Sequence, residues 1–214
     1  MTTPVALHGY RFSVYHRIAR LVLEEKGVAY ATRDVDPFDP DLPDDWRRMH
    51  PFGRVPVLTH EHFTLYETAA IARYVDAAFD GPALTPTAPK AVGRMAQAIA
   101  ILDAYGYRPL VRQVFAHAVF RPAMGTSADP AEIAAGLAAA HPVLAALDDI
   151  AAEGHVLAGP PLTLADCHLA PMLAAFAAAP EGADHLARHP ALSARWAHLA
   201  DRPSFTRTDP GLPD

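Results

Sequence analysis

The chain has 214 residues, of which 51% are hydrophobic and 20% charged, a composition typical of a folded globular protein rather than a disordered one. The net charge of −6, with no basic run longer than Arg47-Arg48, argues against a nucleic-acid surface or a membrane-surface helix. Cys167 is the single cysteine, so no internal disulfide can form. Because neither a secretory signal nor an 18-residue apolar window is visible, we expect a cytoplasmic protein.

Residues 1–80 are predicted to form a small mixed α/β domain. Short apolar runs predict strands at Pro4–His8 and Val28–Val35, and helical spacing predicts a helix over Ser13–Lys26 that stops at Gly27. An acidic, proline-rich loop follows over Asp36–Pro43. Two further strands near Val57 and Phe63 and a helix from Thr68 complete the order β-α-β-(α)-β-β-α, which indicates a mixed sheet flanked by helices.

Residues 81–89 are predicted to be a linker, because Asp80-Gly81-Pro82 is followed closely by two more prolines. Residues 90–214 are alanine-rich and show no strand-like alternation, so we expect an all-α second domain. Pro109 should kink its first helix. The predicted helices cover about 90–120, 130–153, 163–179 and 190–201, with breaks at Pro122, Gly154, Pro180 and Pro203.

The most informative stretch of the chain runs from His50 to Leu58 and is followed by Glu67-Thr68. Pro56 cannot donate to a sheet, so it must lie at the first position of a strand or on a sheet edge. Thr68 can cap the helix that follows. Together these features predict a polar pocket for a small, extended ligand.

Ser13 lies where a strand and loop give way to a helix. Its hydroxyl can cap that helix, or it can hydrogen-bond a bound anion such as a thiolate at the positive end of the helix dipole. A hydrogen bond to a thiolate would lower the pKa of the thiol. Arg11 is adjacent to this turn, but no second feature of the sequence supports a role for it.

Three charged or hydroxyl side chains follow in the central stretch. The backbone around Arg54 is fixed by Gly53 and Pro56, and its guanidinium suits a carboxylate. Glu67 could receive an ammonium group, while the Thr68 hydroxyl and the helix N-terminus hold a carboxylate. A simple capping pair is the alternative interpretation.

Other chemistry-bearing residues have structural interpretations. Thr163 and Asp166 form a capping box, and Cys167 should be an inert core thiol. The twelve histidines include no pair with a third ligand at a zinc spacing, so no metal site is predicted. Tyr10, Tyr105 and Tyr107 could line an apolar pocket where the two domains meet.

Over nearly its whole length the sequence resembles the cytosolic glutathione transferases. His50-Pro51-Phe52-Gly53-Arg54-Val55-Pro56-Val57-Leu58 is similar to the family's N-P-x-G-x-V-P-x-L motif, and Glu67-Thr68-Ala69-Ala70-Ile71 to its E-S-x-x-I motif. Ser13–Gly27 looks like the first helix of the family, and Leu162–Asp166 like the capping box of its C-terminal domain.

This resemblance implies a thioredoxin-like N-terminal domain, an all-helical C-terminal domain, a homodimer and a cis peptide at Val55-Pro56. It implies that glutathione is a co-substrate and that no further cofactor is needed. Ser13 would activate the thiol, as in the serine-type theta and phi classes, and the resemblance is to a bacterial member of this type. The Val55 backbone would pair with the cysteinyl part, Glu67 and Thr68 would take the γ-glutamyl end, and Arg54 the glycyl carboxylate.

Departures from the family pattern leave alternatives open. His50 replaces an asparagine and Thr68 a serine, and Tyr10 offers a second hydroxyl for thiol activation. Transfer of the glutathione thiol to an apolar electrophile is the predicted reaction, with Arg11 among the residues that could line the electrophile pocket. The alternatives are a non-catalytic binding or dimerisation protein and a glutathione-dependent peroxidase or dehalogenase.

Overall fold

The computed structural model describes residues 4–42 and 44–213, so Pro43 of the predicted acidic loop lies outside it. The chain divides into two compact units. The first comprises Met1–Ala83 with Arg207–Pro210, and the second Leu84–Thr206 with Gly211–Asp214. The return of four residues near the C-terminus to the first unit has no counterpart in the sequence prediction.

The first unit is built on a four-stranded mixed sheet in the order β2-β1-β3-β4. The strands are β1 (Val5–Gly9), β2 (Tyr30–Asp34), β3 (Val57–His60) and β4 (Phe63–Tyr66). β1 runs parallel to β2 and antiparallel to β3, and β3 runs antiparallel to β4. The helices are α1 (Val14–Lys26), α2 (Asp44–Met49) and α3 (Thr68–Ala78), so the predicted element order is confirmed.

The core of this unit lies where α1 packs on β1 and α3. Leu7, Ile18, Leu58 and Ile71 are each fully buried, as alternating strand positions and one face of each helix require. α1 begins after its N-cap Ser13 and ends at Gly27, whose φ of +67° is the left-handed conformation that glycine adopts most easily. Both boundaries agree with the prediction.

A buried lysine joins the end of α1 to the end of α3. The Lys26 Nζ donates to the Asp76 carboxylate at 3.3 Å and to the carbonyl oxygens of Asp76 and Pro82, each at 3.1 Å. A Cβ at Gly81 would come within 2.6 Å of the Lys26 carbonyl oxygen. Glycine is therefore required where the chain crosses the end of α1.

The second unit is helical. Its helices are α4 (Pro89–Ile101), α5 (Arg121–Ala123), α6 (Pro130–Ala152), α7 (Leu164–Ala177), α8 (Pro180–Leu186), α9 (Pro190–Ala200) and α10 (Pro203–Arg207). Between α4 and α5 the backbone takes wider, π-type turns over Leu102–Gly106 and Arg108–Phe120, and the Tyr107 N–H bonds to the Leu102 carbonyl. These turns begin before Pro109, the predicted site of a kink.

The helices predicted to end before Pro180 and Pro203 do so, at Ala177 and Ala200, and each proline also opens a further short helix, α8 or α10, that was not predicted. Proline suits the first helical position because its missing N–H would have no partner there. The capping box at the start of α7 is confirmed: the Thr163 N–H and hydroxyl both donate to Asp166 Oδ2 at 2.7 Å. Arg195 Nε donates to the other oxygen at 2.7 Å, and Cys167 is buried, as predicted for a core thiol.

Within the described residues, α6 is the one helix long and apolar enough to cross a membrane by length and composition. A single such helix is weak evidence, because the core helix of a globular unit passes the same test. Ala140, Leu144 and Leu147 of α6 are fully buried, and the helix packs against α9. α6 therefore packs within the second unit, with about a third of its apolar window buried.

We expect Lys26→Met to destabilise the first unit by about 3 kcal/mol, because it leaves the Asp76 carboxylate and two carbonyls without their cation. Denaturant unfolding with a probe in the first unit measures the effect. Lys90→Met is the matched control, since Lys90 is the chain's other lysine and is exposed. Equal unfolding midpoints for the two variants would contradict the stabilising role of Lys26.

Candidate active site

Ser13 is the N-cap of α1. Its backbone is extended, at φ −74° and ψ 123°, and its Oγ accepts a hydrogen bond from the His16 N–H at 3.3 Å. The Ser13 N–H donates to the Tyr10 carbonyl at 2.9 Å, which closes a tight turn between β1 and α1. Because capping uses a lone pair of Oγ, the hydroxyl proton is still available for donation at the positive end of the helix.

Aromatic rings surround this turn. The half-buried ring of Tyr10 contacts Phe12 at a centroid distance of 5.6 Å and Phe38 at 6.1 Å, both edge to face. Burial raises the pKa of the Tyr10 phenol, and the carboxylates of Asp36 and Asp34 act in the same direction. A phenol with a raised pKa is less able to exist as the phenolate that could accept a thiol proton.

Arg11 has a partner that the sequence did not predict. Its Nε and Nη2 donate to the Pro210 carbonyl at 3.2 and 3.0 Å, and its guanidinium lies 5.0 Å from the centre of the Phe12 ring. Arg11 therefore interacts with the C-terminal segment of the first unit. The residue's predicted place in an electrophile pocket stays a prediction.

The central stretch leads into β3. The Val55–Pro56 peptide bond is cis, as the resemblance implied, and Pro56 immediately precedes the first residue of β3. Gly53 adopts a φ of +62°, and Arg54 beside it is exposed. Val55 is half-buried and Pro56 buried, so the backbone here is held by packing while the Arg54 guanidinium faces solvent.

The start of α3 differs from the prediction. Glu67, not Thr68, is the N-cap, and its side chain makes no capping hydrogen bond. Thr68 is the first helical residue and is buried, so the expectation that its hydroxyl caps α3 is wrong. Glu67 itself has a φ of +69°. Left-handed φ in a residue other than glycine is uncommon and concentrates at ligand sites.

His50 lies buried behind this stretch, with 2% of its surface exposed. Its ring is 4.8 Å from the Tyr66 ring and 6.0 Å from Phe52, centre to centre. Burial lowers the pKa of His50, and the charge of Arg54 lowers it further while that of Glu67 raises it. The histidine that replaces asparagine in the motif is thus a packed, mainly neutral ring.

The sheet register explains why these segments meet. His8 on β1 pairs with Val57 on β3, and Val57 pairs with Tyr66 on β4. The turn after β1, the peptide before β3 and the residue after β4 therefore lie at the same end of the sheet. This end carries Ser13, Val55-Pro56 and Glu67-Thr68.

Tyr105 and Tyr107 belong to the second unit, where Tyr105 is 68% exposed and Tyr107 half-buried. Their role in an electrophile pocket stays a prediction. Within residues 4–42 and 44–213, no cluster of three or more His, Cys, Asp or Glu side chains could hold a metal ion. A metal-free site likewise stays a prediction.

His16 is a residue of this region that sequence reasoning missed. Its ring lies under the end of β1, where a Cβ on Gly9 would come within 2.7 Å of the ring. Burial lowers its pKa to about 4, with the charge of Arg20 acting in the same direction. The residue packs the helix against the strand directly below the Ser13 turn, a contact that local sequence does not reveal.

The fold is thus a thioredoxin-like domain with a four-stranded mixed sheet, followed by a helical domain. Residues 7–83 match the family model of the glutathione S-transferase N-terminal domain, and residues 130–194 match that of the C-terminal domain. The chain is 31% identical to glutathione S-transferase 4 of Zea mays over 223 aligned positions, which cover 100% of this chain and 96% of the relative. The chain belongs to the glutathione S-transferase family.

Two solved structures support this assignment. Glutathione S-transferase III in its apo form is 26% identical, with a TM-score of 0.85 and 99% of each chain covered. The theta class glutathione S-transferase of Xanthomonas axonopodis pv. citri, with glutathione bound, is 28% identical, with a TM-score of 0.78 and 97% of each chain covered. The predicted family and fold class are confirmed, whereas a bacterial, serine-type subdivision stays a prediction.

His16 predicts a pH dependence of stability. Because its pKa is about 4 in the folded chain, against an ordinary value of 6.5, the unfolded chain binds a proton between these values that the folded chain does not. The free energy of unfolding should therefore fall as pH drops from 6.5 toward 4, by up to about 3 kcal/mol from this group.

Denaturant unfolding at several pH values measures this slope. His16→Gln should flatten it relative to the parent chain. His62→Gln should retain the slope, since His62 is exposed. An unchanged slope in His16→Gln would show that burial of this ring is not the cause.

Proposed function

We propose that the protein binds glutathione at the end of the sheet that carries Ser13 and lowers the pKa of its thiol. The placement of Ser13 carries the proposal: it caps α1 through a lone pair and keeps its hydroxyl proton for the sulfur. The hydrogen bond and the helix dipole both favour the thiolate over the thiol. Together they supply a few kcal/mol, enough to bring a thiol pKa of about 8.5 close to neutrality.

The reaction we propose is nucleophilic transfer. The glutathione thiol loses its proton to solvent, and the thiolate accepts a hydrogen bond from the Ser13 hydroxyl. The sulfur then forms a bond to an electrophilic carbon, and the leaving group departs with its bonding electron pair. Ser13 forms no covalent bond. An unassisted serine hydroxyl is too weak an acid to lose its proton, so the alkoxide that could act as a base or nucleophile does not form.

Three further contacts would hold the peptide. The Val55 backbone lies directly before the cis proline and would pair with the cysteinyl unit as a strand does. Thr68 begins an eleven-residue helix, whose free N–H groups suit the γ-glutamyl carboxylate, and Glu67 suits its ammonium. Arg54, exposed beside Gly53, suits the glycyl carboxylate.

An apolar electrophile is the proposed second substrate. The rings of Tyr10, Phe12 and Phe38 form an apolar surface beside the Ser13 turn. The raised pKa of Tyr10 favours Ser13 over Tyr10 as the activating hydroxyl. The relatives and solved structures favour neither the non-catalytic alternative nor a peroxidase or dehalogenase.

Ser13→Gly tests the role of the hydroxyl apart from the cap. Glycine retains most of the capping preference, so stability should change by only a few tenths of a kcal/mol. Loss of the hydrogen bond should raise the apparent thiol pKa by about 1 to 2, since a bond to a charged group is worth about 1.5–3 kcal/mol. The pH–rate profile of conjugation to a chlorinated aromatic substrate measures it.

Ser13→Thr, which retains a hydroxyl, should keep the pKa of the parent enzyme. Tyr10→Phe tests the alternative that Tyr10 activates the thiol. The thiol pKa should change with the loss of the hydroxyl at position 13 and not with its loss at position 10. An unchanged profile in Ser13→Gly would remove Ser13 from the mechanism.

We propose that the protein is a cytoplasmic homodimer, as is typical of the family. Support comes from an aromatic patch on the first unit: Phe52 is 68% exposed, and its ring contacts those of His50 and Tyr66. An exposed aromatic ring on a rigid base is typical of a protein interface. The single cysteine, Cys167, is buried and forms no disulfide, which is compatible with a reducing compartment.

Phe52→Ser should weaken the dimer by at least about tenfold, because a central aromatic anchor contributes about 2 kcal/mol or more. Sedimentation equilibrium measures the dissociation constant. Phe38→Ser is the matched control, as Phe38 is 67% exposed but lies in the loop beside Tyr10. Equal dissociation constants for the two variants would place the interface elsewhere.

A further inference from the structure

A short segment near the C-terminus belongs to the first unit although the helices before it belong to the second. We call Arg207–Pro210 the C-terminal strap. Thr208 in its middle is fully buried. A segment held this firmly outside its own helical unit requires specific contacts, and the structure supplies one at each of its four residues.

The first half of the strap is bound by the middle of α1. Arg20 donates from Nη2 to the Arg207 carbonyl at 3.2 Å and from Nη1 to the Thr208 carbonyl at 3.3 Å. Arg207 in turn donates from Nε to Glu24 Oε2 at 2.8 Å. The Arg20 Nε also reaches the Tyr30 hydroxyl at 3.4 Å, so β2 supports the same cluster.

The second half of the strap reaches the start of α1 and the turn before it. Asp209 lies 3.8 Å from the Nη2 of Arg17, a buried arginine. Pro210 offers its carbonyl to two nitrogens of Arg11. The strap therefore runs antiparallel to α1, from Glu24 back toward the helix N-terminus.

These contacts place Ser13 between two anchored arginines, Arg11 two residues before it and Arg17 four residues after it. We infer that the C-terminal strap positions the Ser13 turn for thiol activation, acting through Arg11 and Arg17. This inference rests on the proposed function. The strap residues are positioning residues, because the turn and not the strap would touch the substrate.

The turn is fixed locally by bonds among residues 10–17, and the strap adds contacts from outside it. The Ser13 N–H bond to the Tyr10 carbonyl closes it, and the Arg11 guanidinium rests on the Phe12 ring. The bond from Arg11 to Pro210 joins positions 199 residues apart and adds a fixed point outside the turn. An error of about 1 Å in the position of a catalytic hydroxyl can reduce a rate by up to about a hundredfold.

Two variants remove the support in different ways. Deletion of residues 207–214 removes the strap, and Arg11→Met removes the donors to Pro210 while leaving the strap in place. Deletion of residues 211–214 is the matched control, since it retains every strap contact described above. Arg11 is exposed, so Arg11→Met should fold even if the longer deletion does not.

Hydrogen–deuterium exchange of the peptide covering residues 10–17 is the first measurement, and it does not depend on activity. Both variants should exchange faster there than the parent chain and the control. In glutathione conjugation, kcat should fall by about tenfold while KM for glutathione stays within about twofold, because Arg54, Glu67 and Thr68 are untouched.

Exchange and kcat equal to those of the control in both variants would overturn the inference. So would faster exchange with an unchanged kcat, which would make the strap structural only. A parent chain that neither binds nor conjugates glutathione would instead overturn the proposed function, and the exchange measurement would still report whether the strap orders the turn.

Discussion

The pairing of β1 with β3 is the constraint on which the site depends. His8 lies opposite Val57, and Val57 lies opposite Tyr66, so three chain segments must emerge at one end of the sheet. A slip of one residue would turn Leu7 and Leu58 out of the core and would separate the segments. The buried side chains that fix the register therefore also assemble the polar groups.

Two helix N-termini at that end supply most of the electrostatics. α1 begins at Val14, after its cap Ser13, and α3 begins at Thr68, and neither has an acidic residue in its first turn. The free N–H groups are therefore not neutralised by a first-turn side chain of their own helix, which suits a ligand with a thiolate and carboxylates. Arg54 adds an exposed cation from the central motif.

Local signals in the sequence predict the elements they control. Three such predictions are observed: Gly27 ends α1, Ser13 caps it, and Thr163 and Asp166 form a capping box. Each depends on only a few neighbouring residues. The prediction of Thr68 as a cap is wrong because Glu67 occupies the N-cap position and Thr68 is already the first helical residue. The predicted helix breaks at Pro180 and Pro203 are observed, but each proline also opens a short helix that was not predicted, since proline suits a helix start.

The contacts that the sequence does not reveal are those between elements. Two of these are close approaches, of Gly9 to His16 and of Gly81 to Lys26. The third is the hydrogen bond from Arg11 to the Pro210 carbonyl oxygen. Contacts of this kind leave no periodic pattern in the sequence. The family resemblance implied the cis peptide and the thioredoxin-like fold, but it implied nothing about the strap. The outline of the site was thus predictable from motifs, whereas the support beneath it depends on three-dimensional packing.

Titration calorimetry of the whole chain with reduced glutathione tests the central claim most directly. The account predicts saturable binding of one glutathione per chain at millimolar concentration or below, accompanied by proton release that increases as the pH is raised toward neutrality. The heat should vary with the ionisation enthalpy of the buffer, since the bound thiol loses its proton. Absence of binding at millimolar glutathione would contradict the account, and binding without proton release would contradict thiol activation.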